Sequence, residues 1–506
     1  PFTGLGCIMG LLGWFGIPLN IVNNVVTPLV LVIGFAEAIH VMFVTGGFIA
    51  GGDRPANAVL KMLGQLLVPC MLAALTTAIG FGSLFFSEDQ ALREFSIVAS
   101  GSSLLMFLYV LVVSSCLLAS PVGRYCVGTG QEKQGTFEPT FPLSNADEAN
   151  GFSSFSLSAV VCILSILSLV LFVCLSVKNN TDYRFTENLP ESNPAVNTLW
   201  EIDEALGGSS QNLLVVEFLR KPNPQQLIGS LRDIQNELEK NPLIAKTVSF
   251  LNLLDSMPDQ QGDAISKFRE LKYLPADAWK SFLKINPTVA SFVVKLPDLG
   301  SDRLKPCIQE IVQQAERLER RNPNLSMHFV GLNVLAVSRS QKMISDLITS
   351  LLGASVIIFA LIMLVYRSLI FGVAAIVVNA FPILGVAALM EWMGQPIQYN
   401  GIMLLCTCLG LAVDDTVHFL SKLKMHLSQG LEFKAAITRT VQKLWPVLLT
   451  TSVILGVGFG LAATSDIPTF QTFGGYACVA LGLALLGDLL ILPHILIFLH
   501  RIFVKP

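Results

Sequence analysis

Charge is scarce in this sequence. Only 14% of its 506 residues are Asp, Glu, Lys or Arg, where a soluble domain carries about a quarter. That scarcity excludes an ordinary soluble globule. The net charge is −3, so no basic excess is available to neutralise phosphates, and a nucleic-acid partner is excluded. The ten cysteines include no CxxC pair, and no His or Cys spacing suits a metal, so neither a zinc site nor any other cofactor is expected. No signal peptide stands ahead of the first apolar run, which opens on Pro1 without an initiator Met.

What the sequence has in abundance is long apolar runs. It is 52% hydrophobic, with a mean hydropathy of +0.62. Runs of about 18 or more apolar residues predict membrane helices. Ten such runs lie near 1–17, 25–49, 62–86, 95–119, 155–177, 345–365, 369–391, 397–421, 444–464 and 471–499. The first is short and reads as the tail of a helix that begins upstream.

The few cations are placed unevenly. The block 178–343 holds 20 of the 33 Lys and Arg. Of the rest, 12 fall in one set of short connections: Arg54, Lys61, Arg124, Lys133, Arg367, Lys422, Lys424, Lys434, Arg439, Lys443, Arg501 and Lys505. The opposite connections hold only Arg93. By the positive-inside rule the first set is cytoplasmic, which puts 178–343 on the extracytoplasmic side of an inner membrane. Cys307 is the only cysteine in that block, so no disulfide partner is available to it there.

The 178–343 block has the pattern of a folded α+β domain. Leu213–Val216, Thr247–Val248, Val289–Val294 and His328–Val330 predict strands, and Leu227, Leu231, Ile234 and Leu238 recur at helical spacing. Ile308, Ile311, Val312, Ala315 and Leu318 form a second helix face. Two strand–helix–strand units predict a ferredoxin-like domain. The stretch 121–154 is polar and aperiodic and reads as a cytoplasmic linker. The expected organisation is a first bundle at 1–120, this linker, one helix at 155–177, the external domain at 178–343 and a second bundle at 344–506.

An internal repeat relates the two bundles. Ile17-Pro18-Leu19-Asn20, Glu37, His40, Thr76-Thr77 and Phe95 recur as Pro396 to Asn400, Asp415, His418, Thr450-Thr451 and Phe473. Both copies start on the same side, so a pseudo-twofold along the membrane normal is expected. The expected fold class is thus a polytopic α-helical membrane protein, with two pseudo-symmetric bundles and one external ferredoxin-like domain.

Asp414 and Asp415 sit inside an apolar span, where a carboxylate costs about 2.5–3.5 kcal/mol on insertion scales. Asp414 and His418 are four apart and share a helix face; Asp415 and His418, and Glu37 and His40, are three apart. A carboxyl group taken out of water can bind and release a proton near neutral pH. Glu37, His40, Asp414, Asp415 and His418 are therefore the candidate proton relay, with Glu37 expected to face Asp415 across the pseudo-twofold. The bland alternative is a polar patch that only fixes helix packing. Asp488 has no matching acid in the first half and no His directly beside it, and is expected to be structural. Glu391, at a span end, is expected to be solvated, and Gly80, Gly82, Gly456, Gly458 and Gly460 to serve close helix packing.

The segment Gly410-Leu411-Ala412-Val413-Asp414-Asp415-Thr416-Val417-His418-Phe419 resembles the tenth-helix motif of the RND transporter superfamily. The nearest branch by resemblance is the mycobacterial-membrane-protein-large (MMPL) type, which includes hopanoid exporters and shares the sterol-sensing-domain arrangement. The resemblance implies twelve helices in two halves of six, of which helices 3–12 and the second external domain would be present here. It also implies a proton-driven exporter of lipids or other hydrophobic molecules, and leaves room for a homo-oligomer or accessory envelope proteins. In such proteins a Thr of the following helix joins the proton path, which adds Thr450 and Thr451. This sequence departs from the family at Ala36 and Glu37, where first halves often carry Asp, so an asymmetric relay is expected. A sterol-sensing-like lipid-binding or scaffold protein without turnover is the second reading. It has little use for three intramembrane acids. An enzyme is not expected, because there is no nucleophile–base pair or zinc motif.

Overall fold

The computed structural model describes residues 1–18, 23–120, 155–177, 189–190, 192–244, 247–257, 264–270, 279–285 and 288–503, with single positions at 182, 184, 186, 273 and 275. Leu19 and Asn20 of the repeat, and the proposed linker, lie outside these.

The chain forms two compact units, one of residues 1–179 with 345–506 and one of residues 180–344. In the first, α1 covers Phe2–Trp14, α2 Val26–Ala50, α3 Pro55–Gly82, α4 Gln90–Ala119 and α5 Phe155–Ser176. The later helices are α11 Leu332–Tyr366, α12 Leu369–Trp392, α13 Tyr399–Ser428, α14 Phe433–Ala463, α15 Pro468–Leu486 and α16 Leu492–Phe503. Among the described residues nine helical segments are long and apolar enough to cross a membrane. The tenth expected span is not one of them: α1 has 13 residues, where a crossing takes about 20.

Several helices outrun their apolar stretch. Those of α3 and α14 begin with polar turns, at Pro55 and Phe433, that hydropathy alone leaves out. Sequence signals mark the ends. Gly51 and Gly52 close α2, and Pro55 opens α3 at a position that tolerates a missing N–H. Asp89 caps α4 by accepting from the Ala91 and Leu92 amides. The last span is not one regular helix. A five-residue π-helical turn, Gly487–Ile491, joins α15 to α16.

Packing in this unit crosses between the halves of the sequence. α13 packs on α3, and α14 packs on α2. Small residues let the backbones approach. A Cβ at Gly410 would lie 3.2 Å from Thr77 Cα, and one at Gly80 would lie 3.4 Å from the Cys406 carbonyl oxygen. Gly474 is tighter still, because a Cβ there would run into the Phe459 carbonyl of α14. Gly456 and Gly460, expected to serve packing, meet nothing within 4 Å of a built Cβ.

The second unit holds a five-stranded antiparallel sheet. The strands are β1 Ser210–Phe218, β2 Thr247–Val248, β3 Leu283–Ile285, β4 Thr288–Leu296 and β5 Leu325–Gly331. Their order is β2-β4-β1-β5, with β3 as a short added partner of β4. β4 buries every second residue, including Ala290, Phe292 and Val294, the period of a half-buried strand. The amphipathic helices α7 (Pro224–Leu238) and α10 (Ser301–Arg321) bury Leu231, Ile234, Leu304 and Ile311 in the same core. α6 (Pro194–Leu206), α8 (Phe250–Ser256) and α9 (Ala264–Glu270) complete the unit. Cys307 is buried in it, and that burial, with the nearby Glu310 carboxylate, pushes its thiol up to about 11. The thiol is therefore inert at neutral pH, which suits a core residue rather than a reactive one.

Candidate functional site

Two helices bring the intramembrane acids and histidines together. On α2, Glu37 and His40 are one turn apart and are only 6% and 3% exposed. On α13, His418 is 5% exposed and Thr416 fully buried. The rings of His40 and His418, positions equated by the repeat, stack face to face with centroids 4.0 Å apart and planes 6° from parallel. His418 Nε2 lies 3.4 Å from Asp414 Oδ1, one turn earlier on the same helix. Glu37 lies within electrostatic reach of Asp414. Cys70 of α3, also buried, lies within reach of both acids. Helices of both halves thus converge on a polar cluster.

The pairing of acids differs from the one expected. Glu37 has Asp414, not Asp415, as its charged neighbour. The neighbours of Asp415 are Asp488 and Asp414. Helix geometry explains the difference. Adjacent residues on a helix are separated by about 100°, so only one of the two aspartates can face α2. Among the described residues, the charged groups that act on these four carboxyls are acids and the two histidines, with no Lys or Arg.

The threonines divide differently from the expectation. Thr450 is exposed and bonds the Pro446 carbonyl of its own helix at 2.7 Å. Thr451 is buried but also donates to its own helix, to Leu448 O at 2.9 Å. Both donate to carbonyls of their own helix, as helical threonines commonly do, and neither is brought to the acid cluster by a described hydrogen bond. Thr76 does the same, to Ala73 O at 2.9 Å. Thr77 instead donates across the halves, to Gly410 O at 3.2 Å, one turn before Asp414.

Asp488 is the residue that sequence reasoning undervalued. It is 1% exposed, in the π-helical turn, and accepts a hydrogen bond from Thr416 Oγ1 at 2.6 Å. Its available signal was the cost of an acid in the last span, and the missing match in the first half obscured it. Asn379 of α12 is also buried; it donates to Ala375 O at 2.7 Å and lies 3.4 Å from Thr416 Oγ1.

Chemically, this arrangement can hold and pass protons. It contains carboxyl and imidazole groups in contact range, and among the described residues no cluster of three or more His, Cys, Asp or Glu is placed to hold a metal ion. Two imidazolium rings stacked at 4.0 Å would repel, and Asp414 stands 3.4 Å from one of them, where it would offset a positive charge.

Comparison with known proteins agrees with the fold. No curated protein sequence matches the chain. Among solved structures, the crystal structure of SecDF in its super-membrane-facing form is similar, with a TM-score of 0.59 at 15% identity, over 98% of this chain. This chain spans 57% of that one. The model of the MMPL family matches residues 179–506. With its many membrane-length helices and the acid-bearing α13 inside the matched region, this multi-pass membrane chain belongs to the MMPL family.

Proposed function

We propose that the chain is an RND-type secondary exporter that uses proton movement to drive lipids or other hydrophobic molecules across or out of the cytoplasmic membrane. The observation that carries this is the cluster on α2 and α13. Glu37, Asp414, His40 and His418 meet at the contact between halves, where a change of protonation bears directly on how the halves pack. Carboxyls placed in lipid without such a use would be a standing cost of about 2.5–3.5 kcal/mol each.

Other parts of the reading are supported in the same way. The exchange of packing partners, α13 on α3 and α14 on α2, and the stacking of equivalent histidines support a pseudo-twofold between a sterol-sensing-like first half and the second half. The strand order β2-β4-β1-β5 with helices after β1 and β4 supports a ferredoxin-like external domain. Membership of the MMPL family supports lipidic cargo, as in its hopanoid-exporter branch. The energy source is the proton gradient, with no resident cofactor and no catalytic step.

The function is tested in proteoliposomes holding the full-length protein and a dansyl-labelled phospholipid. An imposed pH gradient should drive movement of the probe, and a protonophore should stop it. Movement indifferent to the gradient would favour a lipid-binding scaffold. The orientation is tested by single cysteines in a cysteine-free background. Lys221→Cys should react with an impermeant maleimide from outside the cell, and Gln429→Cys should not. Lys424 is a poor labelling site because its Nζ lies 3.3 Å from the Val365 and Tyr366 carbonyls at the end of α11. External labelling at 429 would reverse the assigned sides.

A further inference from the structure

α13 has a second polar face, away from α2. There Thr416 Oγ1 has three acceptors within 3.5 Å: Asp488 Oδ1 at 2.6 Å, Ala412 O at 3.3 Å and Asn379 Oδ1 at 3.4 Å. A hydroxyl has one proton to give, and the short contact to Asp488 takes it. The other oxygen of that carboxyl, Oδ2, is buried and has no hydrogen-bond partner among the described residues. Asp415, next to Thr416 on α13, lies within electrostatic reach of Asp488, and among the described residues the other charged group that acts on the two is Asp414. The backbone is built closely around the site. Asp488 lies in the π-helical turn, a feature common at functional positions, and a Cβ at the preceding Gly487 would come 3.1 Å from Val378 Cγ1 of α12.

Two carboxylates taken out of water, within electrostatic reach of one another and with no cation acting on them among the described residues, do not both stay ionised. We propose that Asp415 and Asp488 form a second proton-binding site, a carboxyl pair that shares one proton, set behind the interface cluster and joined to it by the adjacency of Asp414 and Asp415 on α13. Loading breaks the O–H bond of the donor, water or the Asp414 carboxyl, and forms one on a carboxylate oxygen of the pair; release is the reverse. The orphan Oδ2 of Asp488 is the oxygen free to take part, since Oδ1 is held by Thr416. The use of this site in transport rests on the exporter reading above, whereas its proton binding stands on the geometry alone.

A purely structural Asp488 would make a different prediction. As an acceptor for Thr416 it needs one oxygen, and Asp488→Asn still supplies one. The test is infrared difference spectroscopy of the purified full-length protein in liposomes, between acid and alkaline pH, alongside gradient-driven movement of the dansyl phospholipid. The wild type should show a protonated-carboxyl C=O band for the pair, removed by both Asp488→Asn and Asp415→Asn. Asp488→Asn should also slow driven transport roughly tenfold or more, with expression and melting unchanged. If Asp488→Asn does not fold, Asp415→Asn reads the same band with Asp488 in place. A band and transport rate left intact by Asp488→Asn overturn the proposal, as does a wild type that shows no band and is instead stabilised by sodium. Failure of the exporter reading looks different: the wild type would show the band at the pair while movement of the dansyl phospholipid ignored the pH gradient.

Discussion

Asp414→Asn lowers gradient-driven transport by about a hundredfold or more, the scale on which a positioned proton carrier contributes, in protein that expresses and melts normally. Asn has nearly the same volume and still presents an oxygen towards His418, so packing at the α2–α13 contact survives. What is lost is the charge that Glu37 and His418 both sense, across the halves and along the helix. Without it, a proton on the stacked His40–His418 pair has no counter-charge within ion-pair distance among the described residues. Asp415→Asn is expected to fall with it, since its carboxyl adjoins both Asp414 and Asp488. The measurement is the initial rate of dansyl-phospholipid movement after a pH jump, normalised to reconstituted protein. Near-normal rates in both variants would sink proton coupling through α13.

Much of this molecule was legible before its structure because the relevant signals are local. Membrane helices announce themselves by apolar length, and the nine membrane-length segments sit on the expected runs. The strands at 210–218 and 288–296 overlap the predicted ones because alternation of buried and open residues is a property of the strand itself. The repeat went further and equated His40 with His418, which the structure stacks on one another. What could not be read depends on how helices rotate about their axes. The step from Asp414 to Asp415 is one residue in sequence but about 100° in space, enough to turn one acid to α2 and the other to the π-helical turn. Thr451 and Thr77 occupy matching places in the repeat, yet only Thr77 reaches across the halves. Asp488 was missed for the converse reason. Its meaning comes from Thr416, 72 positions earlier in the chain, and a repeat-based argument discards a residue without a counterpart. The first apolar run, read as short, folds as the 13-residue helix α1.

The two stacked histidines should not be equivalent, although the repeat makes them so. His418 has an acid 3.4 Å away. His40 Nε2 is buried without a hydrogen-bond partner among the described residues, and the acid that acts on it is Asp414, which sits beside the neighbouring ring. Replacing either by Phe preserves a flat ring of similar size, so the stack remains and the burial of the site changes little. His418→Phe removes the base that faces Asp414, and driven transport should fall about a hundredfold, as it does on loss of the acid. His40→Phe removes only the second ring of the pair, and the fall should be milder, about tenfold. The double change should cost no more than His418→Phe alone, because residues that work as one unit are not additive. Initial rates of gradient-driven movement for the three variants, taken across a range of pH, decide it. If His418→Phe transports at the wild-type rate, the ring serves packing alone. If the two single variants fall equally and the double falls by the product, the rings act independently, and the asymmetry between the halves is wrong.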